Sequence, residues 1–392
     1  MRLVIFQLAG DFRDAAQRIR NDEPEYYHAQ RYSVESVFGV AKHCEAVTVV
    51  VGWTPEAYDE VLPGGIRAIG LGNGPFPTSE RLIDIIAAQR PTHLVMRSPF
   101  PGVMKWAIAT RLRMIAVFAE SMPNHSLRRR YRNWMAARLL NHKAIEFVGT
   151  YGLTASRGYA RIGVNADKLI PWDFLTSPDA GPDHSRELPA DVQRDFQLFY
   201  VGKLQAERGL EDILSAMALL KSQGMRCHLT VVGASDDGAL ARRCEQIGLA
   251  GSITDAGLVP VAQLEGRMAA SDAVLVPSRR DYPEGFPLVI HHALRASTPL
   301  IISDHPMFVH HLRDGDNALV FAEGDVAGLA AKIQRLATDP ALYRRLSERS
   351  HATWREIRMP VKFGDLLSWW VQDSPATRAL LSEHRLSGNL YR

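Results

Sequence analysis

The sequence predicts an α/β protein made of two Rossmann-like domains, each a parallel sheet covered by helices. Three observations predict it. Short apolar runs alternate with helix-periodic segments along the chain, the pattern of parallel strands joined by crossover helices. The length, 392 residues, suits two domains better than one. Between the halves, residues 176–195 are rich in Pro, Asp and Ser and read as a linker.

The first half opens with an apolar strand at residues 2–7, followed by Gly10, which lets the chain turn tightly or approach a ligand. Residues 13–31 are polar, and part of them is expected to be a mobile loop. A helix over 33–43, strands over 46–52 and 66–71, and a helix over 79–88 with Leu82, Ile85 and Ile86 on one side come next. Further strands are expected at 92–96, 114–118 and 144–150. Residues 126–143 are the most basic stretch, with Arg128, Arg129, Arg130, Arg132, Arg138 and Lys143. Tyr131, Trp134, Met135 and Leu139 fall near helical spacing there. We expect that stripe to dock the helix on its own sheet. The other reading is an interfacial helix drawn to anionic lipid.

In the second half, residues 196–202 form a strand that runs into Lys203 and Arg208, then a helix over 210–221. Strands at 227–233 and 252–259 and helices at 237–248 and 263–270 follow. The chain then reaches its most organised stretch, PSRRDYPEGFPLVIHHALRASTPLIISD, residues 277–304. It leaves a buried strand, crosses a polar loop, enters a helix with Pro287 at the first position, and returns as a strand. Such a βαβ unit sets its loop, residues 278–286, at the carboxyl ends of the strands, where ligands bind. The first helical amides, of Leu288 and Val289, suit a phosphate there. Helices over 325–336 and 340–358 close the domain, and a tail with Trp369 and Trp370 carries a packing face.

Composition excludes several classes. A net charge of +3 gives no argument for nucleic acid. The cysteines Cys44, Cys227 and Cys244 lack metal-ligand spacing and read as reduced cytosolic thiols. No apolar run approaches the roughly 20 residues of a membrane span, and the opening apolar run is too short for a signal peptide. No G-x-G-x-x-G follows the first strand, which argues against a dinucleotide-dependent oxidoreductase. No His, Cys or carboxylate grouping suggests a metal.

The segment Glu284-Gly-Phe-Pro-Leu-Val-Ile-His-His292 resembles the EGFG-x4-E segment of retaining glycosyltransferases of the GT-B fold, family 4. Upstream, Val201-Gly202-Lys203 with Arg208-Gly209 resembles the family's V-G-R-L-x-x-x-K-G, with Lys and Arg exchanged. Residues 167–174, DKLIPWDF, resemble I-x-V-x-P-N-G-V-D, keeping Pro171 and Asp173. The resemblance implies two Rossmann-like domains facing across a cleft, residues 1–175 and 196–359, with residues 360–392 crossing back to the first. It implies sugar transfer from a UDP- or GDP-linked donor to a carbohydrate or lipid-linked acceptor, with retention and without a metal or other cofactor. Lys203 and Arg208 would clasp the diphosphate after Gly202, and Glu284 would lie beside the donor sugar. Gly285, Phe286, Pro287, Leu288 and Val289 would line the donor, and Gly233, Gly257 and Leu258 would meet the nucleotide through backbone. His292 stands where the family has the ribose-binding Glu, and His310 near another of its carboxylates. On the acceptor side, Gly10 and Glu120 are candidates, Glu120 because the family often carries a His near there. The expected place is the cytoplasm; peripheral contact at the inner membrane face goes with the lipid-drawn reading of residues 126–143. Other readings of the same residues are a nucleotide-sugar-binding accessory subunit and a GT-B epimerase.

Overall fold

In a computed structural model of the chain, the described residues are 1–27, 29–122, 126–177, 185–189, 191, 194–202, 205–233 and 238–391. In chain order they form β1 (Arg2–Gln7), α1 (Phe12–Arg20), α2 (Gln30–Ala41), β2 (Ala46–Val51), β3 (Ala57–Val61), β4 (Ile66–Leu71), α3 (Ser79–Ala88) and β5 (His93–Met96). Next come α4 (Pro101–Ala109), β6 (Arg113–Phe118), α5 (Leu127–Leu140), β7 (Ile145–Tyr151), α6 (Gly152–Arg161) and β8 (Leu169–Trp172). Then follow β9 (Phe196–Val201), α7 (Leu210–Ser222), β10 (Cys227–Val232), α8 (Ala239–Gln246), β11 (Ile253–Asp255), α9 (Val261–Ala269) and β12 (Ala273–Val276). Last are α10 (Leu288–Arg295), β13 (Leu300–Ser303), β14 (Leu319–Phe321), α11 (Val326–Thr338), α12 (Pro340–Ile357), α13 (Phe363–Gln372) and α14 (Pro375–Glu383).

The chain divides into two compact units, one of Met1–Glu23, Ala29–Thr176 and Met359–Arg392, the other of Pro24–His28 and Ser177–Arg358. The first holds an eight-stranded sheet in the order β3-β4-β2-β1-β5-β6-β7-β8, parallel except for β3. Its central strands are apolar on both faces, as burial between two helix layers requires: Leu3, Val4, Ile5 and Phe6 are all buried. The antiparallel edge strand β3 escapes sequence reading because only Tyr58 of its five residues is buried.

One expectation for this unit is corrected, and another is given its bounds. Residues 13–20 of the polar stretch belong to helix α1, and residues 21–27 and 29 lie between α1 and α2. The Asp11 side chain caps α1 by accepting from the Asp14 amide at 3.1 Å, and Phe12 and Ala15 anchor one narrow face. The stripe on α5 does not dock. Asn133, Ala137 and Leu140 face the core instead, while Tyr131, Trp134 and Met135 are 65%, 47% and 43% exposed. Leu139 alone of the stripe packs against the core cluster. Small Ala137 fits the helix closely to the sheet, which leaves the bulky aromatic side chains outside.

The terminal residues return to the first unit through Asp173. This buried carboxylate accepts from the Met359 amide at 2.7 Å and from Lys362 Nζ at 2.6 Å. Helix α13 then packs on α2, with the Gly364 amide donating to the Tyr32 hydroxyl at 3.0 Å. Trp370 is buried edge-on to His93, at 5.2 Å between ring centres.

The second unit holds a six-stranded parallel sheet, order β11-β10-β9-β12-β13-β14. Leu198, Leu229, Leu275 and Ile301 from its strands meet Ile213 and Met217 of α7 in one core cluster. Of the expected linker, Arg186 is pinned to this unit, donating to Thr298 Oγ1 and to the Ser271 carbonyl, each at 2.8 Å. Among the described residues, no helix is long and apolar enough to cross a membrane.

Candidate functional site

The chain runs β9, β10, β11 toward one edge of the second sheet, then starts again at β12 and moves toward the other. The carboxyl ends of β9 and β12 therefore flank a topological switch point, where the loops diverge and leave a crevice. Gly202 follows β9, and Pro277 and Ser278 follow β12. The candidate residues collect at this point.

Glu284 and Arg208 meet there. Arg208 Nη1 donates to Glu284 Oε2 at 2.8 Å, and Ser278 Oγ donates to the same oxygen at 2.9 Å. Glu284 is only 6% exposed. Burial pushes its carboxyl above the usual carboxylate range, against the pull of Arg208 and Ser278. The Arg208 guanidinium also lies 4.3 Å over the Tyr282 ring, and its Nε is buried without a partner among the described residues. Ser303 Oγ donates to the Ser278 carbonyl at 2.5 Å, so β13 holds the loop that holds Glu284. Tyr200, at the end of β9, has its hydroxyl pKa raised by burial, with Arg208 opposing and Glu284 adding to it.

Gly209 makes this arrangement possible. Its φ of +75° is left-handed, and a Cβ there would run into the Pro277 carbonyl oxygen. The turn bearing Arg208 can therefore press directly against the end of β12. Lys203, expected on the same turn, lies outside the described residues.

The remaining expected residues distribute around this centre. Pro287 is the cap of α10 rather than its first residue, because its ψ of 131° is extended. Leu288 and Val289 thus supply the first helical amides, and Phe286 is buried beside His291 at 5.3 Å between ring centres. Gly285 is half-buried in the loop before them. The Gly202 amide donates to the Val232 carbonyl and the Gly233 amide to the Gly257 carbonyl, each at 2.9 Å. Gly257 takes a left-handed φ of +60°, and Leu258 is 47% exposed beside it.

His292 is buried, and its Nδ1 lies 3.0 Å from Glu265 Oε1. Arg295 Nε reaches the same oxygen at 2.9 Å. Burial pushes the Glu265 carboxyl up, but His292 and Arg295 outweigh it and hold the carboxyl below its ordinary value. A carboxylate therefore stands beside the position where the resemblance expects one, supplied by α9 instead of α10. His310 is exposed, 6.5 Å from His311 between ring centres. In the first unit, Gly10 has a left-handed φ of +91° and its carbonyl accepts from Gln7 Nε2 at 2.7 Å. The Glu120 carbonyl accepts from the Tyr159 hydroxyl at 3.3 Å.

Sequence reading missed Tyr282, Ser303 and Glu265 as parts of this site. Tyr282 lies within the loop expected to face a ligand, so its place was within reach. Glu265 carries no signal, because its nearness to His292 is a tertiary contact between helices.

Two Rossmann-like α/β units, each on a parallel sheet, define the fold as GT-B, the class of its structural neighbours. Residues 184–353 match the family model described as Glycosyl transferases group 1. Glycogen synthase of Mycobacterium tuberculosis is 29% identical over 150 residues, 38% of this chain and 36% of that protein. The match thus spans just over a third of that relative's length. Among solved structures, sucrose-phosphate synthase from Thermosynechococcus elongatus has a TM-score of 0.66 at 18% identity, covering 97% of this chain and 99% of that one. Anabaena HepE, solved in complex with UDP-glucose, has a TM-score of 0.63 at 14% identity, covering 96% of this chain and 100% of that one.

Proposed function

We propose that this chain is a family 4 glycosyltransferase that moves a sugar from a UDP- or GDP-linked donor to a carbohydrate or lipid-linked acceptor, with retention. The observation that carries the reading is the Arg208–Glu284–Ser278 cluster at the switch point of the second sheet. The match of residues 184–353 to the glycosyl transferase family and the UDP-glucose complex of HepE support it.

In this reaction the bond from the anomeric carbon to the diphosphate oxygen breaks. The acceptor oxygen bonds to that carbon on the same face, and the acceptor proton leaves with the diphosphate. Charge grows on the leaving diphosphate. Arg208, whose Nε has no acceptor among the described residues, and the amides of Leu288 and Val289 supply fixed positive potential for it. Lys203 adds a second cation by the resemblance. Those groups serve without a metal. Glu284, held by two donors, presents a fixed oxygen beside the sugar.

We place the protein in the cytoplasm, with α5 resting on the anionic inner face of the membrane. Leu127, Tyr131, Trp134 and Met135 are all exposed, and the helix carries arginines and no acidic residue. Arg138 lies 5.0 Å over the Trp134 ring, a cation and an apolar ring presented together.

The test is nucleotide release from a panel of UDP- and GDP-sugars, with and without acceptors. Acceptor-dependent release that is lost in Arg208→Ala and Glu284→Gln is the expected result. A donor bound but never cleaved points to the accessory subunit, a reading that the capture of His292 by Glu265 favours. An isomerised sugar without transfer points to an epimerase.

A further inference from the structure

The first unit has its own switch point, and a charged group without a counter-ion sits there. Its sheet runs β1, β2, β4 one way and β5, β6, β7, β8 the other, so the carboxyl ends of β1 and β5 flank the crevice. Gln7 ends β1, and Arg97 follows β5 directly. Arg97 Nη1 donates to Gln7 Oε1 at 2.8 Å and to Ser33 Oγ at 3.1 Å. Its guanidinium stacks 4.6 Å over the Phe363 ring.

All of these partners are neutral. Among the described residues, no carboxylate pairs with Arg97. By contrast Arg113, in the neighbouring strand β6, pairs with both Glu146 and Asp373. Arg97, Gln7 and Ser33 are each half-buried, so a solute can reach them. Partial burial lowers the Arg97 guanidinium to about 10. A cation partly withdrawn from water and without a counter-ion gains free energy when an anion meets it. Gln7 and Ser33 fix the direction of the guanidinium, and Phe363 fixes its plane, the pre-organisation that a binding fork needs.

The geometry points to an anion site in the first unit, in which Arg97 binds a phosphate or carboxylate group of the acceptor, with Gln7 and Ser33 orienting it. That the anion belongs to an acceptor rests on the proposed transfer reaction; the binding site itself does not. Gly10 adjoins it, since Gln7 Nε2 donates to the Gly10 carbonyl.

The experiment uses the full native chain, titrated with and without UDP so that anion binding on the donor side is told apart by competition. Inorganic phosphate and acetate are titrated separately by calorimetry, to tell the two anion classes apart. We expect saturable binding of one of them. Arg97→Met should weaken it by about tenfold or more, the ratio a lost charged hydrogen bond carries. The same variant should melt at an equal or higher temperature, because an unpaired charge has been replaced by an apolar side chain. Arg97→Lys should retain part of the binding, and it decides the matter if the Met variant does not fold. No binding of either anion to the parent, or equal binding in the parent and in Arg97→Met, or a lower melting temperature in Arg97→Met, overturns the site. UDP titration of the same chain reports on the donor reading separately, so either idea can fail alone.

Discussion

Removing Arg208 should strip Glu284 of its cation and leave the carboxylate buried. The Glu284 side chain is 7% exposed and that of Arg208 19%, so solvent screens the pair weakly. At a separation of 2.8 Å the attraction outweighs an exposed pair's many times over. Breaking such a pair from one side costs about 3 kcal/mol or more. Arg208→Ala should therefore destabilise the second unit by about 3 kcal/mol at pH 8. The loss should shrink as the pH falls, and the sign follows from linkage. Burial already raises the folded-state pKa of Glu284, while Arg208 lowers it. A carboxyl with a raised folded pKa takes up a proton on folding between its ordinary and folded values, so stability falls as pH rises through that window. Without Arg208 the window extends further upward. Parent and variant should thus converge toward the ordinary carboxylate value near 4.5 and diverge above it. Urea unfolding at several pH values measures this, read by hydrogen exchange of β12 and α10 because a two-unit chain need not unfold in one step. Glu284→Gln added to Arg208→Ala should recover most of the loss at pH 8. A penalty independent of pH, or a double variant as unstable as the single, would refute the reasoning.

Three further outcomes are expected. Gly209→Ala should cost at least about 1–2 kcal/mol in unfolding and weaken UDP binding, because the new Cβ meets the Pro277 carbonyl at a left-handed φ; unchanged stability would mean that the turn is not pinned. His292→Glu should weaken UDP binding by setting a second carboxylate beside Glu265, and Glu265→Gln in the same chain should restore it; titration with UDP decides, and parent-like affinity in His292→Glu alone contradicts the pairing. Sedimentation with anionic vesicles should capture the parent at low salt and release it as salt rises, with Trp134→Ser and Met135→Ser captured less; equal recovery with neutral vesicles would count against the membrane reading.

Much of the fold was legible because parallel strands buried on both faces are continuous apolar runs. Residues 2–7 and 66–71 carry that signal locally, residues 79–88 carry a helical period, and the structure has elements at the same bounds. The loop of residues 278–286 was legible as a ligand-facing segment because strand, loop, helix and strand follow one another there without interruption. Helix α1 was not legible, because only two buried residues hold it and most of the rest is polar. Nor was the outward turn of α5, since periodicity gives the spacing of a stripe but not the side of the helix that meets the sheet.

The sequence by itself determined which chemistry is available: a cation after β9, a carboxylate after β12, glycines at the turns, and a basic helix. Only the tertiary structure decided which groups meet. Arg208 and Glu284 are 76 residues apart, and they touch because the sheet order sets β9 beside β12. Glu265 reaches His292 through helix packing, and Arg97 finds neutral partners on β1 and α2. Side-chain type is written locally, whereas partnership depends on which strand ends adjoin, and that depends on the packing of the whole sheet.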